Sequence, residues 1–218
     1  MGKTKVNRFQ TDTAAYWSRW ARFWDPMLRL VSLDQRYRKE AISMLDLRKE
    51  MTVLDIACGT GLNFPYLFEA VGDRGKIIAV DIAPGMLERA RERARKNHWS
   101  NIEFITGDVS QIQLPEADAA AAFWCMVSIP NYRTALENIV SSLRPSGRLA
   151  ILDFKPMDNF PGLLFNPIFR QICHLSHQNV ERQPWRDMRG LLANVEMQEW
   201  KFGGMMLASV YLAWGEKS

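Results

Sequence analysis

The chain has 218 residues, a length that fits one domain with a full core and leaves no room for two large ones. Its 47% apolar and 24% charged content suits a folded globular protein and excludes a disordered one. The net charge of +4 is uneven: residues 1–50 carry 11 Lys and Arg against 6 Asp and Glu, and residues 51–218 carry 17 against 18, so a basic excess and an expected anionic partner belong to the N-terminal segment.

Residues Met1 to Val6 hold no apolar stretch of the secretory kind and break the myristoylation pattern at Val6, so a cytoplasmic protein is expected. From Thr13 to Leu47 apolar residues recur at helical spacing, with Trp17, Trp20, Trp24, Leu28 and Val31 in one row. Asp25-Pro26 predicts a break between two helices, with Asp25 as N-cap, and Tyr37, Ala41, Ile42 and Leu45 mark a third. After Lys49 short apolar runs alternate with amphipathic stretches, the pattern of parallel strands joined by helices. The strands are expected at Thr52–Ala57, Lys76–Asp81, Ile102–Thr106, Ala119–Cys125 and Arg148–Phe154, and the helices at Asn63–Val71, Pro84–Asn97 and Tyr132–Leu143. Pro145-Ser146-Gly147 reads as a turn.

The proline-punctuated stretch Pro156–Arg189 has no strand period and reads as an insertion of loops and a helix. Two final strands, Val195–Phe202 and Met206–Trp214, joined by Gly203-Gly204, predict an antiparallel hairpin. The longest apolar run, Ala119 to Val127, is nine residues, short of the ~20 that cross a bilayer as a helix. Cys58, Cys125 and Cys173 are an odd number without close spacing, so reduced core thiols are expected rather than disulfides or a zinc site.

The segment Val53-Leu54-Asp55-Ile56-Ala57-Cys58-Gly59-Thr60-Gly61 runs a buried-type strand into a glycine turn and then a helix. In an open α/β sheet that turn is a nucleotide site, because glycine lets a ligand approach the backbone. Asp81 closes the next strand 20 residues after Gly61, where a carboxylate accepts from both ribose hydroxyls. A dinucleotide fingerprint needs a small residue three positions after the second glycine, and here Phe64 stands there. Asp55 would repel a pyrophosphate and suits a cation. S-adenosylmethionine, with adenosine, ammonium and sulfonium but no phosphate, matches these charges. Asp108 would accept from the adenine amino group, with Ile82 and Met86 against the ring.

The motifs Asp55-Ile56-Ala57-Cys58-Gly59-Thr60-Gly61, Val80-Asp81-Ile82-Ala83-Pro84-Gly85-Met86-Leu87, Gly107-Asp108-Val109 and Leu143-Arg144-Pro145-Ser146-Gly147 resemble the ordered motifs of class I S-adenosylmethionine-dependent methyltransferases. The resemblance covers about residues 14–155 and departs at Ser146, where many members have glycine. It implies an α/β, Rossmann-like fold: a seven-stranded, mostly parallel sheet with the last strand antiparallel, helices on both faces and an N-terminal helical cover. It implies one domain, with a cover over 1–49, a cofactor-binding core over 50–155, a substrate-covering insertion over 156–190 and a closing hairpin over 191–218. The cofactor contacts expected are Tyr16, Asp55, Ala57, Gly59, Gly61, Asp81, Ile82, Met86, Asp108, Val109 and Trp124.

Within the superfamily, Phe23-Trp24-Asp25-Pro26-Met27 followed by Tyr37-Arg38-Lys39 is similar to the quinone C-methyltransferases. The stretch from Phe123 to Tyr132 is similar to bacterial N-methyltransferases of phosphatidylethanolamine or betaine-lipid headgroups. N-methylation of a phospholipid headgroup amine at the membrane surface is the first expectation and quinone-ring C-methylation the second. A noncatalytic adenosine-binding module is the alternative of a different kind. The acceptor is thus a lipophilic amine or quinone. Nucleic acid is not expected, because the basic charge is confined to one segment and Asn131 follows Pro130, without the Asn/Asp-Pro-Pro-aromatic signature.

Methyl transfer is an in-line displacement that needs no metal and no covalent nucleophile. The residues expected to act are Tyr16 on the cover and Trp124 after the fourth strand, as aromatic faces, and His177 in the insertion as proton acceptor. His98 is expected in solvent at a helix end. The Trp/Arg pattern within residues 13–31, with Arg19, Arg22 and Arg29, also suits a helix lying on an anionic inner membrane face.

Overall fold

The computed structural model describes residues 13–22, 34–160, 162–200 and 208–218. Residues 13–22 are helical (α1), followed by α2 (Asp34–Ser43), β1 (Thr52–Ile56), α3 (Phe64–Val71), β2 (Lys76–Asp81), α4 (Pro84–Lys96), β3 (Ile102–Thr106) and β4 (Ala117–Phe123). Then come α5 (Tyr132–Ser142), β5 (Leu143–Lys155), α6 (Gly162–Leu175), α7 (Pro184–Met188), β6 (Ala193–Trp200) and β7 (Ser209–Glu216). The Asp25-Pro26 break, the Trp24 row and the Gly203-Gly204 link lie outside the described residues.

The seven strands form one sheet in the order β3-β2-β1-β4-β5-β7-β6. Pairings from β3 to β5 are parallel, and β7 runs antiparallel to both β5 and β6. This is the Rossmann-like architecture expected, with the final strand reversed. It follows from β1, β2 and β4 being apolar on both faces, so that helices must cover the sheet from two sides. One core packs α5 against β1, β4 and β5; the other packs α2, α3 and α4 on the opposite face.

The central strand β4 is nearly without bulk. Ala119, Ala120, Ala121 and Ala122 are all buried, with Ala120 and Ala122 in one core and Ala119 and Ala121 in the other. Strand β5 begins earlier than its apolar run, because Leu143 already pairs with Ala117 before the register shifts and Arg148 pairs with Ala119. The Pro145-Ser146-Gly147 turn is therefore an irregularity inside a strand. Ser146 has φ +62 there and its N–H donates to the Lys217 carbonyl at 2.8 Å. The insertion holds two helices, α6 and α7, rather than one. All three cysteines are buried free thiols. Among the described residues no helix is long and apolar enough to cross a membrane.

Candidate functional site

Parallel strands that diverge at a change of strand order leave a crevice at their carboxyl ends, here beside β1 between β2 and β4. A cavity of about 910 Å³, part of it open to solvent, lies there. Eight of the expected residues line it: Ala57, Gly59, Asp81, Ile82, Met86, Asp108, Val109 and Trp124.

The turn after β1 is left-handed at three positions, Ala57 (φ +49), Gly59 (φ +57) and Gly61 (φ +79). A Cβ on Gly59 would meet nothing within 4 Å, so that glycine is required by its dihedral angle and leaves open space on the cavity side. A Cβ on Gly61 would stand 2.3 Å from the Phe64 ring, which is fully buried. Gly61 therefore serves packing and does not line the cavity. The bulky residue that spoils the dinucleotide fingerprint is the one that fills this space.

Asp81 fixes the turn to β2. Its two oxygens accept from the N–H groups of Gly59 and Ala83, each at 2.8 Å. Burial pushes its pKa to about 6 in spite of these bonds. Asp108 accepts from the Ser110 N–H and hydroxyl, both at 2.8 Å, so a tight turn holds its carboxylate at the rim.

Asp55 stands elsewhere than expected. It is fully buried and outside the cavity lining, because Asn63 covers it and donates to its Oδ1 at 2.7 Å. Arg38 in turn donates to the Asn63 carbonyl oxygen, and both Arg38 and Asn63 line the cavity. Burial raises Asp55 to about 7, while Asn63 and Arg38 pull it down. The cavity is therefore shown the Asn63 amide and the Arg38 cation, while the Asp55 carboxyl that was expected to face a ligand stays behind them.

Trp124 follows β4 with φ +59, a conformation uncommon for a bulky side chain. Its N–H donates to the Leu152 carbonyl at 2.6 Å and its indole lies on Phe154 with centroids 4.4 Å apart. The indole Nε1 and the Ser128 hydroxyl, both on the cavity wall and both buried, have no hydrogen-bond partner among the described residues. A buried polar group left unmet costs about 1–3 kcal/mol.

Tyr16 and His177 are brought together, with ring centroids 5.2 Å apart, but neither lines the cavity. Thr13 and Trp17, on the neighbouring face of α1, do. His98 is exposed, as expected.

Sequence reasoning did not find the residues that hold the loop after β4. Arg182 donates to the Met126, Ile129 and Pro130 carbonyls and lies over the Tyr132 ring at 5.1 Å. Asp153 accepts from the Val127 N–H at 3.1 Å, and burial raises its pKa to about 7. Asp153 is a buried charge and Arg182 a half-buried one, and one sequence reveals only Asp153, at the end of a strand.

The residues present fit S-adenosylmethionine. Asp81 offers acceptors at the crevice, Asp108 offers one at the rim, and Ile82, Met86 and Val109 give an apolar wall for a ring. Arg38 gives a cation, and open space lies over Gly59.

A family model described as a methyltransferase domain matches residues 47–204. A demethylmenaquinone methyltransferase of Listeria welshimeri is 28% identical over 155 residues, covering 68% of this chain and 65% of the relative. One of Lactococcus lactis is 29% identical over 161 residues, covering 72% and 61%. The chain thus spans a little under two thirds of the length of these relatives. Among solved structures, the YcgJ protein from Bacillus subtilis superposes with a TM-score of 0.70 at 17% identity, over 84% of this chain and 98% of its own. The N-methyltransferase NodS from Bradyrhizobium japonicum, in complex with S-adenosyl-L-homocysteine, gives 0.66 at 18%, over 85% and 87%. At these identities the structures speak for the fold alone.

Proposed function

Because this chain belongs to the class I S-adenosylmethionine-dependent methyltransferases, we propose that it methylates a ring carbon of a quinone-type acceptor in its reduced, hydroquinone form. The observation that carries this reading is the pair of buried polar groups, Trp124 Nε1 and Ser128 Oγ, that have no partner among the described residues and belong to cavity-lining residues beside the apolar Phe123 and Ile129. Such a wall suits a flat apolar ring bearing oxygen. The demethylmenaquinone methyltransferases that the chain resembles support the same choice. Phospholipid N-methylation, the first expectation from sequence, takes second place because the relatives that the chain resembles are methyltransferases of demethylmenaquinone.

When bound, S-adenosylmethionine supplies the activated methyl group. Asp81 would hold the ribose, Asp108 the adenine amino group, Ile82, Met86 and Val109 the ring, and Arg38 the cofactor's carboxylate. The ring carbon of a hydroquinone becomes nucleophilic as its hydroxyl loses a proton; once that carbon has taken the methyl group it gives up its own hydrogen as a proton, which restores the aromatic ring. Trp124 and Ser128 donate to that oxygen and stabilise its growing negative charge in a site shielded from water. His177, against Tyr16 on the cover, receives the proton by way of solvent at the mouth rather than at the ring. Thr13 and Trp17 shut the cavity from the side of α1, and Tyr16 steadies them from the next face. Exposed Arg19, Trp20 and Arg22 on α1 support contact with an anionic membrane surface.

The test is incubation with methyl-labelled cofactor and three acceptors in detergent: reduced short-chain demethylmenaquinone, phosphatidylethanolamine and a small amine. Label in the quinone ring is expected. Label in an amine alone, with the ring untouched, overturns the reading.

A further inference from the structure

Helix α6 is apolar on two faces. Its inner face carries Phe169 and Cys173, buried against Val127, Val180 and Ala208. Its outer face carries Leu164, Ile168, Ile172 and Leu175, which are 62%, 60%, 48% and 68% exposed. Phe160, 76% exposed, extends the row before the helix begins. Residues 164, 168, 172 and 175 recur at helical spacings of four, four and three, so they form one strip, about 16 Å long at 1.5 Å per residue. An apolar strip of this kind on a soluble fold marks an interaction surface rather than chance exposure.

Its surroundings say what it meets. Residues 13–22 and 162–180 hold three arginines and two histidines and not one carboxylate. Arg19 and Arg22 are exposed; Arg170, on the flank of α6, is paired with Glu181. The contact between Tyr16 and His177 joins α1 to the end of α6, and Tyr16 also touches the half-exposed Trp20, with centroids 6.1 Å apart. A row of large aliphatic side chains, a flanking tryptophan and the exposed Arg19 and Arg22 make up the composition of a surface that lies in a bilayer interface.

The same helix packs on the segment that leads into the cavity wall. Its inner face packs on Val127, which precedes the cavity residues Ser128, Ile129 and Pro130, and Phe169 touches Phe154, on which Trp124 is stacked. We propose that the outer face of α6, together with α1, is a docking surface for an anionic lipid bilayer, seating the cavity mouth where a long-tailed acceptor can enter from the membrane. The role given to the acceptor rests on the quinone reading; the docking itself does not.

The test uses the full chain and vesicles of phosphatidylcholine with and without phosphatidylglycerol, read by sedimentation. Binding that rises with phosphatidylglycerol content is expected. In the triple variant Leu164→Gln, Ile168→Gln, Ile172→Gln, whose side chains are already in water, the partition coefficient should fall at least about tenfold. Its melting temperature and its turnover of a short-tailed acceptor in solution should stay as in the wild type. No vesicle binding by the wild type, or equal binding by the triple variant, overturns the proposal. So does a dimer in the wild type that dissociates in the variant, since the strip would then be an interface between copies. Failure of the acceptor reading shows separately, as intact vesicle binding without methylation of the quinone.

Discussion

The bank of the cavity formed by β1, β2 and β3 is shaped by turns that belong to its own strand and helix units. Asp81 and Asp108 each bind a backbone N–H two residues on, and Asp81 also ties down the glycine turn of the neighbouring strand. The bank after β4 is held from outside. Asp153 of β5 takes one of its N–H groups, and Arg182, 52 to 56 residues away, takes three of its carbonyls. A bank built into the fold keeps one ligand class. A bank held by distant charges can be reshaped without touching the first, which is how one fold serves many acceptors.

The comparison can be broken at both banks with pH. Asp55 and Asp153 are raised to about 7 and Asp81 to about 6. An unfolded Asp ionises near pH 4, so between there and neutrality the folded state keeps protons that the unfolded state gives up. Their contribution to stability is full below that range and lost as pH rises through the folded values. The protein without cofactor should melt about 5 °C or more lower at pH 8 than at pH 5. Asp55→Asn and Asp153→Asn should each flatten this slope, measured by calorimetry. An unchanged slope in Asp153→Asn would mean that the acceptor bank is not under that charge.

Asp81→Asn puts an amide N–H where one backbone N–H now donates. S-adenosylhomocysteine affinity should drop about 100-fold by titration calorimetry, the upper end of an unmet buried hydrogen bond. Arg182→Ala should lower kcat about tenfold while cofactor affinity stays within about threefold. Arg182→Lys should restore little, because one ammonium cannot span three carbonyls. Equal losses of turnover and cofactor affinity in Arg182→Ala would erase the distinction between the banks. Ser146→Gly lies in neither bank. It relieves a left-handed residue and should raise the melting temperature by about 1–3 °C, with kinetics unchanged.

The fold was readable because its signals are local. Strands Lys76–Asp81 and Ile102–Thr106 and the start of α4 at Pro84 stand where apolar runs and a helix-opening proline place them. The glycine turn and the acids at the ends of β2 and β3 were readable for the same reason. Asp55 was not, because a strand buried on both faces gives no alternation to tell which side a residue faces. Arg38 and Arg182 were hidden as well. A surface arginine and a buried one are the same letter, and their partners lie 25 to 56 positions away.

The row of four alanines in β4 has a consequence for how this enzyme can be altered. With only methyl side chains at the middle of the sheet, both layers rest almost directly on the backbone of the strand that leads into Trp124. A single methyl added at Ala121 or Ala122 would push one layer outward and tilt the exit of that strand, moving the cavity wall that begins at Trp124 from a place outside the cavity lining. Libraries that seek new acceptors would find levers in this seam as well as around the cavity.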